Sequence, residues 1–275
     1  METVAIFGVG LIGGSFALAL KKAGFRGRIV GVSSPATIEA AVRVGAIDES
    51  LPADAAARSA DLIYLAQPIG RILDTIGEIN AWVRPDALIT DAGSTKSAIV
   101  ARAQNALTRC RFLGGHPLAG KESRGVESAC ADLFRGRMYV LTPLHKADLD
   151  TAAAAAFIDW LKRFGATPYI TTAEDHDEVV ARSSHLPQLA STALALTVGG
   201  APPILGPALI DSTRLALSPF DIWRDIFDTN RDRIDRELAH YIEQLQRLRH
   251  NLTSPEMRHL FEEAGDVARR VRETK

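Results

Sequence analysis

Residues 3–15 read TVAIFGVGLIGGS: a short apolar run, then glycines, then the start of a helical pattern. Within it, Gly8-Val9-Gly10-Leu11-Ile12-Gly13 fits G-x-G-x-x-G. The match gains weight from its context. It follows an expected strand, opens a helix expected over 12–24, and is succeeded by a second apolar run at 28–32 (RIVGV), which together make a βαβ unit of about 30 residues. In such a unit Gly8 permits the tight turn, Gly10 lets a pyrophosphate approach the backbone, and Gly13 lets helix and strand pack closely. The pyrophosphate lies on the helix N-terminus, where free amides and the helix dipole favour an anion. Leu11 and Ile12 begin that helix and are expected beside the dinucleotide. So are Gln67 and Pro68, which follow the next strand.

The alternation continues outward. A helix is expected at 36–44, a strand at 61–66, a helix at 69–80, a strand at 87–91 and a helix at 95–107. Apolar runs at 111–114 and 137–142 read as strands, 148–164 as a helix that stops at Gly165, and 167–171 as a last strand. Strands alternating with helices imply a mostly parallel, doubly wound sheet covered on both faces. After about residue 172 the pattern changes. Residues 174–198 and 219–249 show apolar residues at helical spacing, separated by a Gly/Pro break at 199–207 (GGAPPILGP). The expected architecture is therefore α/β: a Rossmann-type dinucleotide-binding domain over 1–171 and an all-helical domain over 172–275.

The remaining bulk properties exclude more than they assign. The 275 residues carry a formal net charge of -1, with no basic stripe of the kind a nucleic-acid partner requires. Arg269, Arg270 and Arg272 read as a solvated helix end. Two cysteines, Cys110 and Cys130, have neither CxxC spacing nor a histidine cluster, so they are expected as reduced structural thiols and no metal site is expected. No apolar run approaches the roughly 20 residues of a membrane span, and residue 3 already starts a strand without a basic leader, so a cytoplasmic protein is expected.

The end of the second strand bears on the choice of dinucleotide. NAD sites usually carry Asp or Glu about 20 residues after the glycine loop, on the ribose 2′-hydroxyl. This chain has Ser33 followed by Ser34. A serine donates to a 2′-phosphate without repelling it, which favours NADP, or use of both NADP and NAD; no arginine stands beside the pair to clamp a phosphate.

Polar residues gather where an α/β sheet builds its site, past the carboxyl ends of strands. Asp91-Ala92-Gly93-Ser94-Thr95-Lys96 follows one strand, and Gly114-Gly115-His116-Pro117-Leu118-Ala119-Gly120-Lys121-Glu122 another. The helical region contributes His176-Asp177, Ser183-Ser184-His185-Leu186-Pro187-Gln188, Asp211-Ser212-Thr213-Arg214 and Trp223-Arg224-Asp225. The glycine loop ending in GGS, the D-x-G-S-x-K turn, HP-x-AG-x-E, SHLP and the T-R…W-R-D pair occur in one order. In that combination the chain resembles the prephenate/arogenate (cyclohexadienyl) dehydrogenases, from residue 3 to about 230. HP-x-AG-x-E and SHLP are specific; the glycine loop alone is not. A fused mutase or regulatory domain, which some relatives carry, is not expected.

The resemblance implies oxidative decarboxylation of a cyclohexadienyl ring: the C4 hydrogen leaves as hydride to a nicotinamide, the C4 hydroxyl loses its proton, and CO2 leaves C1. By the same resemblance His116 is the base on the C4 hydroxyl and Ser94 its companion. Arg214 clamps the ring carboxylate, Ser184 and Gln188 line the substrate pocket, Glu122 lies near the cleft mouth, and Trp223 approaches from the partner subunit of a homodimer. Plainer readings stand beside these: a core histidine for His116, an N-cap for Ser94, a surface ion pair for Arg214, a solvated acid for Glu122, dimer core for Trp223. His176 and His185 read as structural histidines that link helices.

The chain departs from the family where SHLPH is frequent and Gln188 replaces the second histidine. A neutral amide repels the ammonium of arogenate less than a cation does, and offers less to the keto acid of prephenate. That favours arogenate, or relaxed cyclohexadienyl specificity. Rival readings are another two-domain dehydrogenase, of the β-hydroxyacid or pyrroline-carboxylate reductase type, and a nucleotide sensor without catalysis.

Overall fold

The computed structural model describes all residues except 122, 201–203, 205, 274 and 275. The chain runs β1 (Thr3–Phe7), α1 (Leu11–Lys22), β2 (Arg28–Val32), α2 (Pro35–Arg43), β3 (Glu49–Ser50), α3 (Ala53–Ser59), β4 (Leu62–Leu65), α4 (Ile69–Ile79), β5 (Leu88–Asp91), α5 (Ser97–Ala106), β6 (Arg111–Pro117), β7 (Met138–Pro143), α6 (Ala152–Arg163) and β8 (Thr167–Ile170). The described residues beyond form helices and turns: α7 (Ala173–Val180), a π-turn (Ala181–His185), α8 (Leu186–Val198), α9 (Pro207–Thr213), α10 (Phe220–His250) and α11 (Glu256–Glu273). The Gly/Pro break expected at 199–207 falls partly on residues 201–203 and 205, outside the described residues.

The strands form one sheet in the order β3-β2-β1-β4-β5-β6-β7-β8. β1 to β6 are mutually parallel; β7 runs antiparallel to β6, and β8 parallel to β7. β1, β4 and β5 are buried along their whole length, as central strands covered on both faces must be. One face packs under α1 and α6, where Phe16 stacks on Tyr64 with ring centroids 4.0 Å apart. The other face packs under α3, α4 and α5 and receives Ile226 and Ile234 of α10. The helical region is thereby joined to the sheet's own core. The strand order reverses between β1 and β4, so the crevice past their carboxyl ends is where this architecture binds a ligand.

Several elements differ from the sequence reading, each for a local reason. α5 starts at Ser97, not Thr95, because its cap comes from a distant carboxylate. The strand expected at 111–114 continues through His116 and Pro117, because β7 pairs with it as far as Tyr139. α6 begins after Thr151, whose hydroxyl accepts from Ala154 N at 3.2 Å. α10 is interrupted at Asn230 (φ -131°, ψ 23°), where the buried side-chain amide donates to Asp177 O at 2.9 Å.

The glycine loop has the steric form the motif demands. Gly8 takes φ +88°, and a Cβ there would meet Ala66 O at 2.5 Å. A Cβ on Gly13 would lie 2.1 Å from Gly8 O. One on Gly10 would meet nothing within 4 Å and would project into open space at the first turn of α1. We therefore expect Gly13→Ala to destabilise the fold by about 1–3 kcal/mol through overpacking. Gly10→Ala should change stability by less than about 0.5 kcal/mol yet weaken dinucleotide binding. Urea unfolding and nucleotide titration of both variants check this; equal losses of stability would contradict it.

Candidate active site

Three helices turn their N-termini toward the crevice, and they are finished in different ways. α4 starts after Pro68, and the carboxylate of Asp225, from α10, accepts from Gly70 N at 2.9 Å. α5 starts after Lys96, and Asp177, from α7, accepts from Lys96 N at 2.7 Å and Ser97 N at 2.8 Å. These carboxylates satisfy amides that would otherwise lack partners and complement the helix dipoles. α1 has Gly10 at its N-cap, no side-chain cap and no acid in its first turn. Its amides face the open space beside Gly10, which has the steric and electrostatic character of a pyrophosphate cradle.

A cleft runs from this helix end. Leu11, Ile12, Gln67 and Pro68 line one side and Gly93 and Ser94 its floor, with Lys121 and Arg124 from the segment after β6 and Asp221 and Asp225 from α10 closing it. The Gln67 carbonyl accepts from Thr75 Oγ1 at 2.9 Å, which fixes its amide. Ser33 and Ser34 are exposed at the end of β2. Ser34 caps α2, accepting weakly from Thr37 N at 3.4 Å, and no acid lies in that first turn.

Beneath the floor lies a fully buried ion pair. Lys96 Nζ donates to Asp91 Oδ2 and, at 2.8 Å, to Gly115 O. Asp91 also accepts from Gly93 N at 2.8 Å and Gly115 N at 3.0 Å. Every polar atom of the pair is thus used, the condition under which a buried pair is tolerated. Burial pushes the Lys96 ammonium below its ordinary range, against the pull of Asp91. The pair pins the end of β5, which carries Ser94, to the end of β6, which carries His116. Glycine is required there: a Cβ on Gly115 would meet Asp91 O at 2.5 Å.

His116 is half-buried. Its Nδ1 lies 2.8 Å from His176 Nε2, and His176 Nδ1 lies 2.8 Å from Asp177 Oδ1. Desolvation, reinforced by His176, Lys96 and His185, holds the His116 imidazole well below its ordinary value, so it is neutral near pH 7. The hydrogen bonds from His176, Ser97 and Lys96 outweigh burial at Asp177 and keep its carboxyl below the usual range. His185 is likewise buried and pushed down to about 4, chiefly by desolvation.

The other anticipated residues fall as follows. Gln188 is buried, and its Nε2 donates to Leu215 O at 2.9 Å, holding the turn that presents Arg214. Arg214 is exposed at the start of that turn, and Ser184 is exposed in the π-turn before Pro187. Pro187 lacks the N–H that would bond Ser183 O, a common setting for a wider turn. Trp223 packs edge-on against His185 of its own chain, ring centroids 5.9 Å apart, and donates Nε1 to Ser218 Oγ at 2.9 Å. Glu122 lies outside the described residues. Ser94 does not cap α5; Asp177 does, which leaves Ser94 lining the cleft. The sequence reading missed the coupling of His176 to His116, the role of Asp177, and Arg124.

Comparison with known proteins bears on this arrangement. The family described as "Prephenate dehydrogenase, nucleotide-binding domain" matches residues 16–169, and "Prephenate dehydrogenase, dimerization domain" matches residues 172–264. The chain belongs to the prephenate dehydrogenase family. It is 32% identical to a prephenate dehydrogenase of Bacillus subtilis over 94% of this chain and 72% of that protein. A cyclohexadienyl dehydrogenase of Zymomonas mobilis is 29% identical over 94% of this chain and 91% of that one. Among solved structures, prephenate dehydrogenase from Aquifex aeolicus in complex with hydroxyphenyl propionate and NAD+ superposes with a TM-score of 0.89 at 31% identity, covering 100% of this chain and 99% of that chain. Synechocystis arogenate dehydrogenase follows at a TM-score of 0.82 and 28% identity, covering 98% and 100%. As a member of this family the chain is an oxidoreductase that uses a pyridine nucleotide.

The buried imidazoles make stability pH-dependent in a definite direction. His116 and His185 bind protons more readily in the unfolded chain, so unfolding takes up protons below the ordinary value of 6.5 and stability falls as pH drops from there toward about 4. His185 alone should cost about 2 kcal/mol at pH 5 relative to pH 8. Thermal melts should show the fall, and His185→Gln should lessen it. Melts unchanged between pH 8 and pH 5 would contradict this.

Proposed function

We propose that this chain oxidatively decarboxylates a cyclohexadienyl acid, prephenate or arogenate, giving 4-hydroxyphenylpyruvate or tyrosine. The observation that carries the reading is a neutral, half-buried imidazole, His116, held by the Lys96–Asp91 pair at the same edge of the sheet as Ser94 and the dinucleotide cradle. NAD(P)+ supplies the hydride acceptor. The glycine loop and the uncapped α1 would hold its pyrophosphate, and Leu11, Ile12, Gln67 and Pro68 would wall its cleft. His116 takes the proton of the C4 hydroxyl at Nε2, and Ser94 hydrogen-bonds the same oxygen. The O–H electron pair becomes the carbonyl bond as hydride leaves C4; loss of CO2 from C1 then aromatises the ring, the C1–CO2 bond pair passing through it to the oxygen, which takes the proton back from His116. Arg214 meets the ring carboxylate, which a guanidinium recognises bidentately.

Three finer readings belong with this proposal. The chain divides near residue 171 into a dinucleotide-binding and a helical domain, and pairs through the latter as a homodimer in the cytoplasm. Phe220, Leu217, Leu252 and Phe261, each at least 65% exposed, suit burial against a second copy, and Trp223 would then flank the cleft mouth. Ser33 and Ser34, at a helix N-terminus with no acid in its first turn, favour NADP or dual use over strict NAD dependence. Gln188, a neutral amide engaged with the Arg214 turn, favours arogenate or both substrates over prephenate alone.

The test is kcat/KM for prephenate and arogenate, each with NAD+ and NADP+. We expect turnover with NADP+ and a preference for arogenate. A preference for prephenate would keep the reaction and refute the role given to Gln188. Nucleotide binding without turnover of either acid would refute the reaction and favour a nucleotide sensor.

A further inference from the structure

The base proposed above is one end of a chain of three side chains. His116 is next to last in β6, while His176 and Asp177 lie on α7, about 60 residues on, in the helical region. Asp177 is fully buried with its carboxyl held below the usual range, so it accepts and does not donate. Its Oδ1 therefore accepts the hydrogen bond from His176 Nδ1–H, 2.8 Å away. A neutral His176 with its proton on Nδ1 has a bare lone pair on Nε2. That lone pair lies 2.8 Å from His116 Nδ1, which must then carry a proton. The proton of neutral His116 is thereby placed on Nδ1, and the lone pair on Nε2.

From this geometry we infer that His176 and Asp177 are positioning residues that fix the Nδ1–H tautomer of His116, leaving Nε2 as the basic atom, and that they stabilise the cation His116 becomes when it accepts the hydroxyl proton. The inference rests on the reading of His116 as the base. In the step itself the hydroxyl O–H bond breaks and the Nε2–H bond forms, the electron pair staying with oxygen. The new imidazolium faces the His176 lone pair, which is backed by the Asp177 carboxylate. The other charged or titratable groups near His116 are Lys96, whose ammonium is turned toward Asp91 and Gly115 O, and His185, packed against Trp223. Neither is bonded to His116 Nδ1, so the choice of tautomer falls to His176. A wrongly placed proton is costly: in an Asp-His-nucleophile triad, loss of the group that sets the histidine tautomer lowers kcat by about 10⁴-fold.

The experiment uses the full chain labelled with 15N-histidine, the His116 signals being assigned by their loss in His116→Asn. At pH 7.5 the wild type should show His116 protonated at Nδ1 and bare at Nε2. His176→Leu removes the acceptor; its His116 should shift toward the Nε2–H form, and kcat should fall about 10²-fold or more with nucleotide Kd unchanged. His176→Gln keeps a carbonyl able to accept from His116 and an amide able to donate to Asp177, and should recover kcat to within about tenfold of wild type. His116 protonated at Nε2 in the wild type, or a His176→Leu protein with wild-type kcat and tautomer, would overturn the inference. His116→Asn with near-wild-type turnover would instead overturn the base reading, whatever tautomer is seen.

Discussion

A single buried carboxylate, Asp177, ties the two halves of the molecule together. It takes three donors: the backbone amides that open α5 and the ring of His176. Its own main-chain carbonyl receives the amide of Asn230 at the break in α10. An isolated buried carboxylate costs several kcal/mol; this one is tolerated because the sheet supplies a helix end and the helical region supplies a ring and a kink. The arrangement holds only when both are in place, so folding of the helical region onto the sheet also assembles the site.

The same logic divides the helix N-termini around the crevice. The helical region sends Asp225 to α4 and Asp177 to α5 and, among the described residues, no carboxylate caps α1. Two positive helix ends are neutralised by the protein; the third is left open, which suits the pyrophosphate proposed for it. Below them, the Lys96–Asp91 pair fixes the ends of β5 and β6 and therefore the spacing between Ser94 and His116. None of these side chains is expected to touch substrate except Ser94 and His116; the rest decide where those two stand.

Much of this was legible in the sequence, and what was not has identifiable causes. The glycine loop announced both fold and cofactor class because Gly8 and Gly13 answer local steric demands and Gly10 leaves the space at the first turn of α1 open. The strands of the central sheet showed as uninterrupted apolar runs because both faces are covered. β3 escaped notice because it has two residues. α3 (ADAAARS) was missed because alanine alone draws no apolar stripe. The strand character of Gly115-His116-Pro117 was hidden, since glycine and proline read as loop; only the pairing with β7 and the crowding of Gly115 against Asp91 require that backbone. Ser94 looked like the cap of α5 because sequence shows only nearby caps, and the true cap lies about 80 residues on. For the same reason His176 read as a structural histidine: its partner is 60 residues away, and proximity in the chain tied it to Asp177 but not to His116.

The claim that Asp177 acts on the reaction through His116 is tested most directly by a double-mutant cycle in kcat/KM with Asp177→Asn and His116→Asn. If the carboxylate works through His176 to set the base, the two losses are strongly non-additive, and Asp177→Asn costs little further, under about threefold, once His116 is gone. Losses that multiply in full would show that Asp177 serves only to seat α5 and the helical region, and would contradict the account.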